Sequence, residues 1–417
     1  MITDPLALIR ATHFAATLLA SGTVFFAALV IGPARLPQHF PILRTRMNVL
    51  VWTGLALSIL TGAMWLIWLA ANILGQSLTD VCLHGGAWSV LADTRFGWIC
   101  CLRLALAALL GVLVLAPAHR FWPVAAAGAF LALPAFASHA GATPGLRGDG
   151  HLLSDALHLL SAGAWLGGLP AFALLLGTAY RRRKPGWNEL IIKATRRFSR
   201  LAALSVGVLL ATGIANSWNL LNGPRDLWTT DYGHLIGAKI VLLAAMIAIA
   251  TVNKFRLTPR LPARGALRNL QRNSLVEVGI GLCVLVLVGY LGRLQPTAHV
   301  HPATTPTPPD AAFTHIHTPE AMTEVTINPG RAGHSEVTIR VSREDFTPFP
   351  AQAVRLTLNP PAAAGKSVDR RAEQRPDGTW TIKDIALPQP GIWTVRVFVI
   401  AQSGQTIVLD APIVIER

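Results

Sequence analysis

Charge is scarce in this chain. Asp, Glu, Lys and Arg make up 14% of its 417 residues, where a soluble domain carries nearer a quarter. Cysteine is scarce as well: there are four, none in a CxxC pattern, so zinc-ribbon and thioredoxin-type redox chemistry have no footing. The chain has no phosphate-binding loop, no GxSxG and no HExxH. These absences remove common nucleotide-binding and hydrolytic motifs, and no enzyme is expected. Apolar length, by contrast, is abundant. The chain is 52% hydrophobic, its mean hydropathy is +0.47, and apolar runs of about twenty residues recur, as in a polytopic membrane protein. The first run is too long for a signal peptide and lacks a basic n-region, so no cleavable leader is expected.

Eight spans are expected, at about 6–31, 47–73, 96–116, 121–138, 151–179, 197–221, 234–253 and 274–293. The net charge of +15 brings nucleic acid to mind first, but its placement points to a lipid bilayer. The odd-numbered connections carry Arg35, Arg44, Arg46, Arg120, the 181–200 cluster and the 254–272 cluster, eighteen basic residues in all. The even-numbered ones carry only Arg95, Arg147 and Arg225. Positive loops stay in the cytoplasm, so both termini are expected outside, and no nucleic acid is expected as a partner.

The two halves echo one another. Leu60-Thr61-Gly62-Ala63 matches Ala211-Thr212-Gly213-Ile214. Thr94-Arg95-Phe96-Gly97 followed by Arg103 matches Thr230-Asp231-Tyr232-Gly233 followed by Lys239, and His13 matches His158. Four spans per repeat is an even number, so the halves are expected to be parallel. The expected organisation is an eight-helix membrane domain at 1–295, a Pro/Thr/His-rich tether at 296–320, and a C-terminal all-β domain at 321–417. In that last segment the period changes to two, and six or seven short strands suggest an immunoglobulin-like sandwich. Asp377-Gly378 reads as a hairpin turn.

The stretch Ser138–Gly168 concentrates the chemistry. His151, Asp155 and His158 fall at i, i+4 and i+7, within about 60° on one helix face. Ionisable groups on an apolar helix face a protein interior or a wet cavity. By the same topology His13, His139, His158 and His234 all lie toward the outer face. Imidazole suits copper, zinc, iron and nickel, and copper binds tightest among these divalent ions. Asp155 is a candidate ligand or a group that orients a histidine. Trp165 is placed below this face. Arg103 and Lys239 either snorkel to the surface or pair with Asp155 or an anion. Glu277 is a relay on an inner exit path or a partner of Arg268 or Arg272. Cys82, in the second outer loop, and Cys100 and Cys101, near the outer end of span three, are candidates for a disulfide in an oxidising compartment, with thiolate ligation of Cu(I) as the alternative. His315, His317 and Met322 form a possible accessory metal site on the tether.

DALHLLSAGAWLGGL, the preceding SHAGATPG, TTDYGHLIGAKIVLL and SLVEVGIGLCVLVLVGYLG together resemble the copper resistance protein D (CopD) family through all eight spans. NPGRAG, DGTW and PGIW give the β domain a similarity to YtkA-like sandwiches. The resemblance implies copper uptake at the bacterial inner membrane, contributing to copper homeostasis and resistance. It implies a periplasmic copper carrier (CopC-like) as donor, and a site drawn from His13, His139, Asp155, His158, Trp165, Lys239 and Glu277. Two departures stand out: no carrier domain is fused, and five methionines form no Met-rich motif, which leaves copper as Cu(I) or Cu(II) open. The alternatives are a haem b protein, with paired histidines ligating the iron, and a copper sequestrator or sensor that does not transport.

Overall fold

The computed structural model describes residues 4–32, 40–74, 77–83, 85–93, 95–115, 121–137, 145–181, 186–221, 223–294, 310–318, 321–343, 347–361 and 367–416. It divides into two compact units, Met1–His301 and Pro302–Arg417.

The first unit is helical. Helix α1 (Pro5–Phe25) starts where Asp4 accepts a hydrogen bond from the Leu6 N–H at 3.0 Å and proline fills the first position, both standard helix openers. It runs on as a π-helical turn, Phe26–Ile31. The other long elements are α2 (Pro41–Leu74), α3 (Arg95–Leu115), α4 (Phe121–Ala132), α5 (Gly145–Trp165), α6 (Leu169–Arg181), α7 (Trp187–Leu220), α8 (Asp231–Val252) and α9 (Arg264–Leu291).

Among the described residues, seven helical runs are long and apolar enough to cross a membrane, with α5 and α6 forming one of them. The fourth expected span is the exception. Phe121–Phe136 is helical and apolar but shorter than the others; at 1.5 Å per residue it falls short of a hydrocarbon core of about 30 Å. Helices α2, α7 and α9 begin earlier than the apolar runs do. Lys193, Arg196, Arg197 and Arg200 lie inside α7, and Arg264, Arg268 and Arg272 inside α9. Lys and Arg are good helix formers, so these helices continue past the point where hydrophobicity ends. Glu189 and Lys193 pair one turn apart on that extension.

Helix α1 packs against α2, α4, α5 and α9 and is the most buried of the spanning helices. Its contact with the α5–α6 break depends on glycine. A Cβ on Gly22 would stand 2.1 Å from the Gly167 backbone, and one on Gly167 would stand 2.3 Å from Leu18 O. Small residues let transmembrane backbones approach this closely. The sequence Trp165-Leu166-Gly167-Gly168 is also where the span turns, as Gly167 N–H reaches back to Ala162 O at 3.1 Å.

The second unit is all-β and antiparallel. Its strands are β1 (Ala312–His317), β2 (Met322–Asn328), β3 (Gly333–Ser342), β4 (Ala351–Asn359), β5 (Val368–Arg371), β6 (Glu373–Gln374), β7 (Trp380–Leu387), β8 (Gly391–Ala401) and β9 (Thr406–Ile415). One sheet has the order β1-β2-β3-β7-β6 and the other β5-β4-β8-β9. Alternate residues, such as Val337, Ile339 and Val341 on β3 and Trp393, Val395 and Val397 on β8, enter one shared core. That is the period-two pattern at work. Asp377 and Gly378 do turn the chain between β6 and β7: Gly378 has φ 82°, and Asp377 accepts from the Thr379 N–H at 2.9 Å. The sheet begins before residue 321, because Ala312–His317, expected in the tether, pairs with β2.

Replacing Gly22 by valine should force α1 and α5 apart. Overpacking of this kind costs about 1–3 kcal/mol, so Tm in detergent should drop by several degrees. Gly207→Ala, where a Cβ meets nothing within 4 Å, should leave Tm unchanged. Equal Tm values for the two variants would contradict the packing described.

Candidate functional site

Near the end of the bundle where α1 starts, His13 is 6% exposed. Its Nδ1 lies 3.1 Å from Thr61 Oγ1 on α2. The Thr61 hydroxyl gives its own hydrogen to Leu57 O at 2.6 Å, so toward the ring it can only accept. His13 is therefore the Nδ1–H tautomer, and its Nε2 carries a lone pair. That lone pair is taken: Arg103 Nη2 on α3 sits 2.9 Å away. Arg103 is 8% exposed, donates also to Thr17 Oγ1 at 3.0 Å, and stacks over the Phe130 ring at 4.8 Å.

The second half repeats the motif. His158 Nδ1 on α5 lies 2.9 Å from Thr212 Oγ1 on α7, and Thr212 donates to Val208 O at 2.7 Å. His158 is thus also the Nδ1–H tautomer. Its Nε2 makes no hydrogen bond with the described residues. The glycine after each threonine faces the ring: a Cβ on Gly62 would press on His13 Cε1 at 3.3 Å, and one on Gly213 would make an ordinary contact with His158 Cε1 at 3.9 Å. Lys239 on α8 is in electrostatic contact with His158 and Asp155. Asp155 Oδ1 accepts from Asn216 Nδ2 at 2.7 Å and lies 3.9 Å from His151 Nε2. Asn216 is itself held by Ser154 Oγ at 2.7 Å.

A cavity of about 800 Å³ connects several of these groups. His13, Arg103, His151, Asp155 and Tyr232 all line it, among apolar and aromatic walls that include Trp65 and Phe96. A second cavity of about 240 Å³ lies toward the other end, where α1 finishes. Trp165, 2% exposed, is on its wall together with Glu277. Asn253 Nδ2 donates to Glu277 Oε1 at 3.2 Å.

The expected residues therefore fall into groups. His13, Arg103, His151 and Asp155 share the large cavity, with His158 and Lys239 beside them. His234 is exposed at the start of α8. His139 lies outside the described residues, and so does the side chain of His317. His315 Nδ1 is 3.9 Å from Glu324 Oε1 across the β1–β2 pair. Three expectations need correction. Arg103 does not snorkel, because His13 and Thr17 offer it acceptors in the interior. Glu277 pairs with Asn253 and not with Arg268 or Arg272, which point to the surface. Met322 is 1% exposed in the β unit, so its thioether is not offered to an ion outside. All four cysteines are free. Among the described residues no three His, Cys, Asp or Glu side chains gather at metal-ligand spacing. Thr61, Thr212, Asn216 and Asn253 were missed. The repeated Thr-Gly pair was visible in the sequence, but nothing in it told that the hydroxyl holds a ring.

Two family models match the chain: copper resistance protein D over residues 192–291, and the copper resistance protein D-like N-terminal domain over residues 1–149. Inner membrane protein YebZ of Escherichia coli is 29% identical over 297 residues, covering 69% of this chain and 97% of that protein. Copper transport protein CutJ of Bacillus subtilis is 26% identical, covering 81% of this chain and 64% of that one. Copper resistance protein D of Pseudomonas syringae is 32% identical, covering 40% and 57%. No solved structure matches.

Thr212→Val removes the one acceptor that the His158 N–H has among the described residues, and Thr61→Val takes the hydroxyl acceptor from His13 and leaves it only the Ser58 backbone. In a buried site this costs about 1–3 kcal/mol. NMR of isotope-labelled histidine should find both rings protonated at Nδ1 in the wild-type protein, with the His13 signal changed by Thr61→Val and the His158 signal by Thr212→Val. Protonation at Nε2 in the wild-type protein would contradict the geometry.

Proposed function

Because the chain is a membrane protein of the copper resistance protein D family, we propose that it carries copper ions across the bacterial inner membrane, from periplasm to cytoplasm, in copper homeostasis and resistance. It is a transporter in this reading and not an enzyme. The observation that carries the reading is the pair of interior imidazoles whose Nδ1–H groups are fixed by Thr61 and Thr212. A metal-binding histidine is held in this way, one nitrogen donating to the protein and the other presenting its lone pair.

The ion enters the large cavity past His151 and Asp155. His158 Nε2, free of hydrogen bonds among the described residues, is its first firm ligand. His13 joins when Arg103 leaves Nε2, so the guanidinium acts as a plug that a competing cation displaces. Lys239 keeps Asp155 oriented beside the path. Trp165 stands on the wall of the smaller cavity, where Glu277 serves the path without ligating the ion. His139 and His234 guide the ion at the mouth, and His315 with His317 helps receive it on the β unit, a YtkA-like immunoglobulin-type sandwich. The basic loops put the N- and C-termini in the periplasm, where a CopC-like carrier delivers copper. The matching His–Thr–Gly sets support two parallel four-helix repeats, with α4 and its following turn as the fourth span.

Copper uptake into proteoliposomes tests this. His13→Ala and His158→Ala should each abolish uptake while the elution profile stays that of the wild type. A sequestrator would bind copper without uptake. Normal transport by both variants would overturn the assignment. Arg103→Leu should tighten copper binding in detergent, since the plug no longer competes; weaker binding would contradict the plug and show that Arg103 positions the His13 ring.

A further inference from the structure

The smaller cavity carries chemistry unsuited to copper. Glu277 on α9 is 2% exposed. Its Oε1 is bonded to Asn253 Nδ2, and Asn253 Oδ1 in turn accepts from Asn273 Nδ2 at 2.7 Å. Among the described residues Oε2 has no hydrogen-bond partner, and no cationic side chain pairs with the carboxyl group. Lys254, on the same wall at the end of α8, is exposed and lies over the Phe255 ring at 5.4 Å. From α7 comes Thr195, 2% exposed, on the cavity wall, with a hydroxyl that makes no hydrogen bond. Ser274 Oγ is on the wall too and gives its hydrogen to Leu270 O at 2.9 Å, which leaves oxygen lone pairs over. Helices α5 and α6 contribute only Trp165, Leu169 and Phe172.

A carboxylate held among apolar side chains within a membrane span is costly until a positive charge neutralises it. Thiolate, thioether and imidazole ligands, which copper favours, are missing from this wall, while carboxylate and hydroxyl oxygens suit small hard cations. The unpartnered Thr195 hydroxyl is a second donor with nothing to bind. We propose that this cavity binds one hard monovalent cation, a proton or a sodium ion, on Glu277 with Thr195 beside it, and that its gradient drives copper movement. Only the second half of that statement rests on the copper reading.

The test uses copper-free, full-length protein in lipid nanodiscs. Two measurements are made: binding of radiolabelled sodium, and the infrared carboxyl band as acid buffer is exchanged for alkaline. Saturable sodium binding that is lost in Glu277→Gln and weakened in Thr195→Val assigns sodium. No sodium binding, but a carboxyl band that disappears in Glu277→Gln, assigns a proton. Neither signal in the wild-type protein, or signals unchanged in Glu277→Gln, overturns the proposal. Copper binding to the same samples shows that the variants are folded, and it reports separately on the large cavity. Should Glu277→Gln fail to fold, Glu277→Asp replaces it, with weakened cation binding expected and wild-type binding contradicting the assignment.

Discussion

Inside a bilayer core no water is at hand to satisfy backbone polar groups, which must pair within the protein, and a side-chain hydroxyl there turns to the nearest carbonyl. That constraint organises the helical unit. The hydroxyls of Thr61 and Thr212 each give their hydrogen to a carbonyl of their own helix, and each then has only an acceptor to offer. An imidazole that meets such a hydroxyl must present Nδ1–H to it. One backbone turn on α2 and one on α7 thereby decide the tautomer of a ring on another helix. The result is a pair of lone pairs at fixed places in an apolar interior, near a cavity large enough for an ion and its remaining ligands.

The two halves use this device differently. In the first, the lone pair is covered by Arg103, a cation with no carboxylate among its partners. In the second, Lys239 lies near Asp155, and the His158 lone pair stays open. In the copper path proposed above, this asymmetry sets an order of events: an open nitrogen first, then a second one made available by displacing a charge of the same sign as the cargo. Glycine supports the first arrangement at Gly62, where a side chain would crowd the His13 ring, and the helix contact at Gly22 and Gly167.

Much of this was legible in the sequence. Hydropathy located the helical runs, because length and apolarity are what a bilayer requires. It could not locate their ends, because helical hydrogen bonding goes on into the basic segments of α7 and α9. The change to a period of two marked the β unit, yet β1 was hidden, since Ala312–His317 lies in a stretch whose composition reads as linker. For the site, depth along each span picked out His13, His158, Arg103 and Lys239. Rotation about the helix axis was harder to read. Arg103 has the depth of a snorkelling residue, and only the position of His13 on α1 explains why it turns inward. Asn253, the partner of Glu277, lies on a different helix, so nothing local in the sequence links the two.

The central claim is that copper is held by imidazole nitrogen from both halves of the chain. The most direct measurement is X-ray absorption at the copper edge of the loaded protein, compared with the His13→Ala and His158→Ala variants. The account predicts imidazole scattering in the wild-type spectrum that is reduced in each variant. A spectrum without imidazole scattering, or one that neither substitution alters, would contradict it.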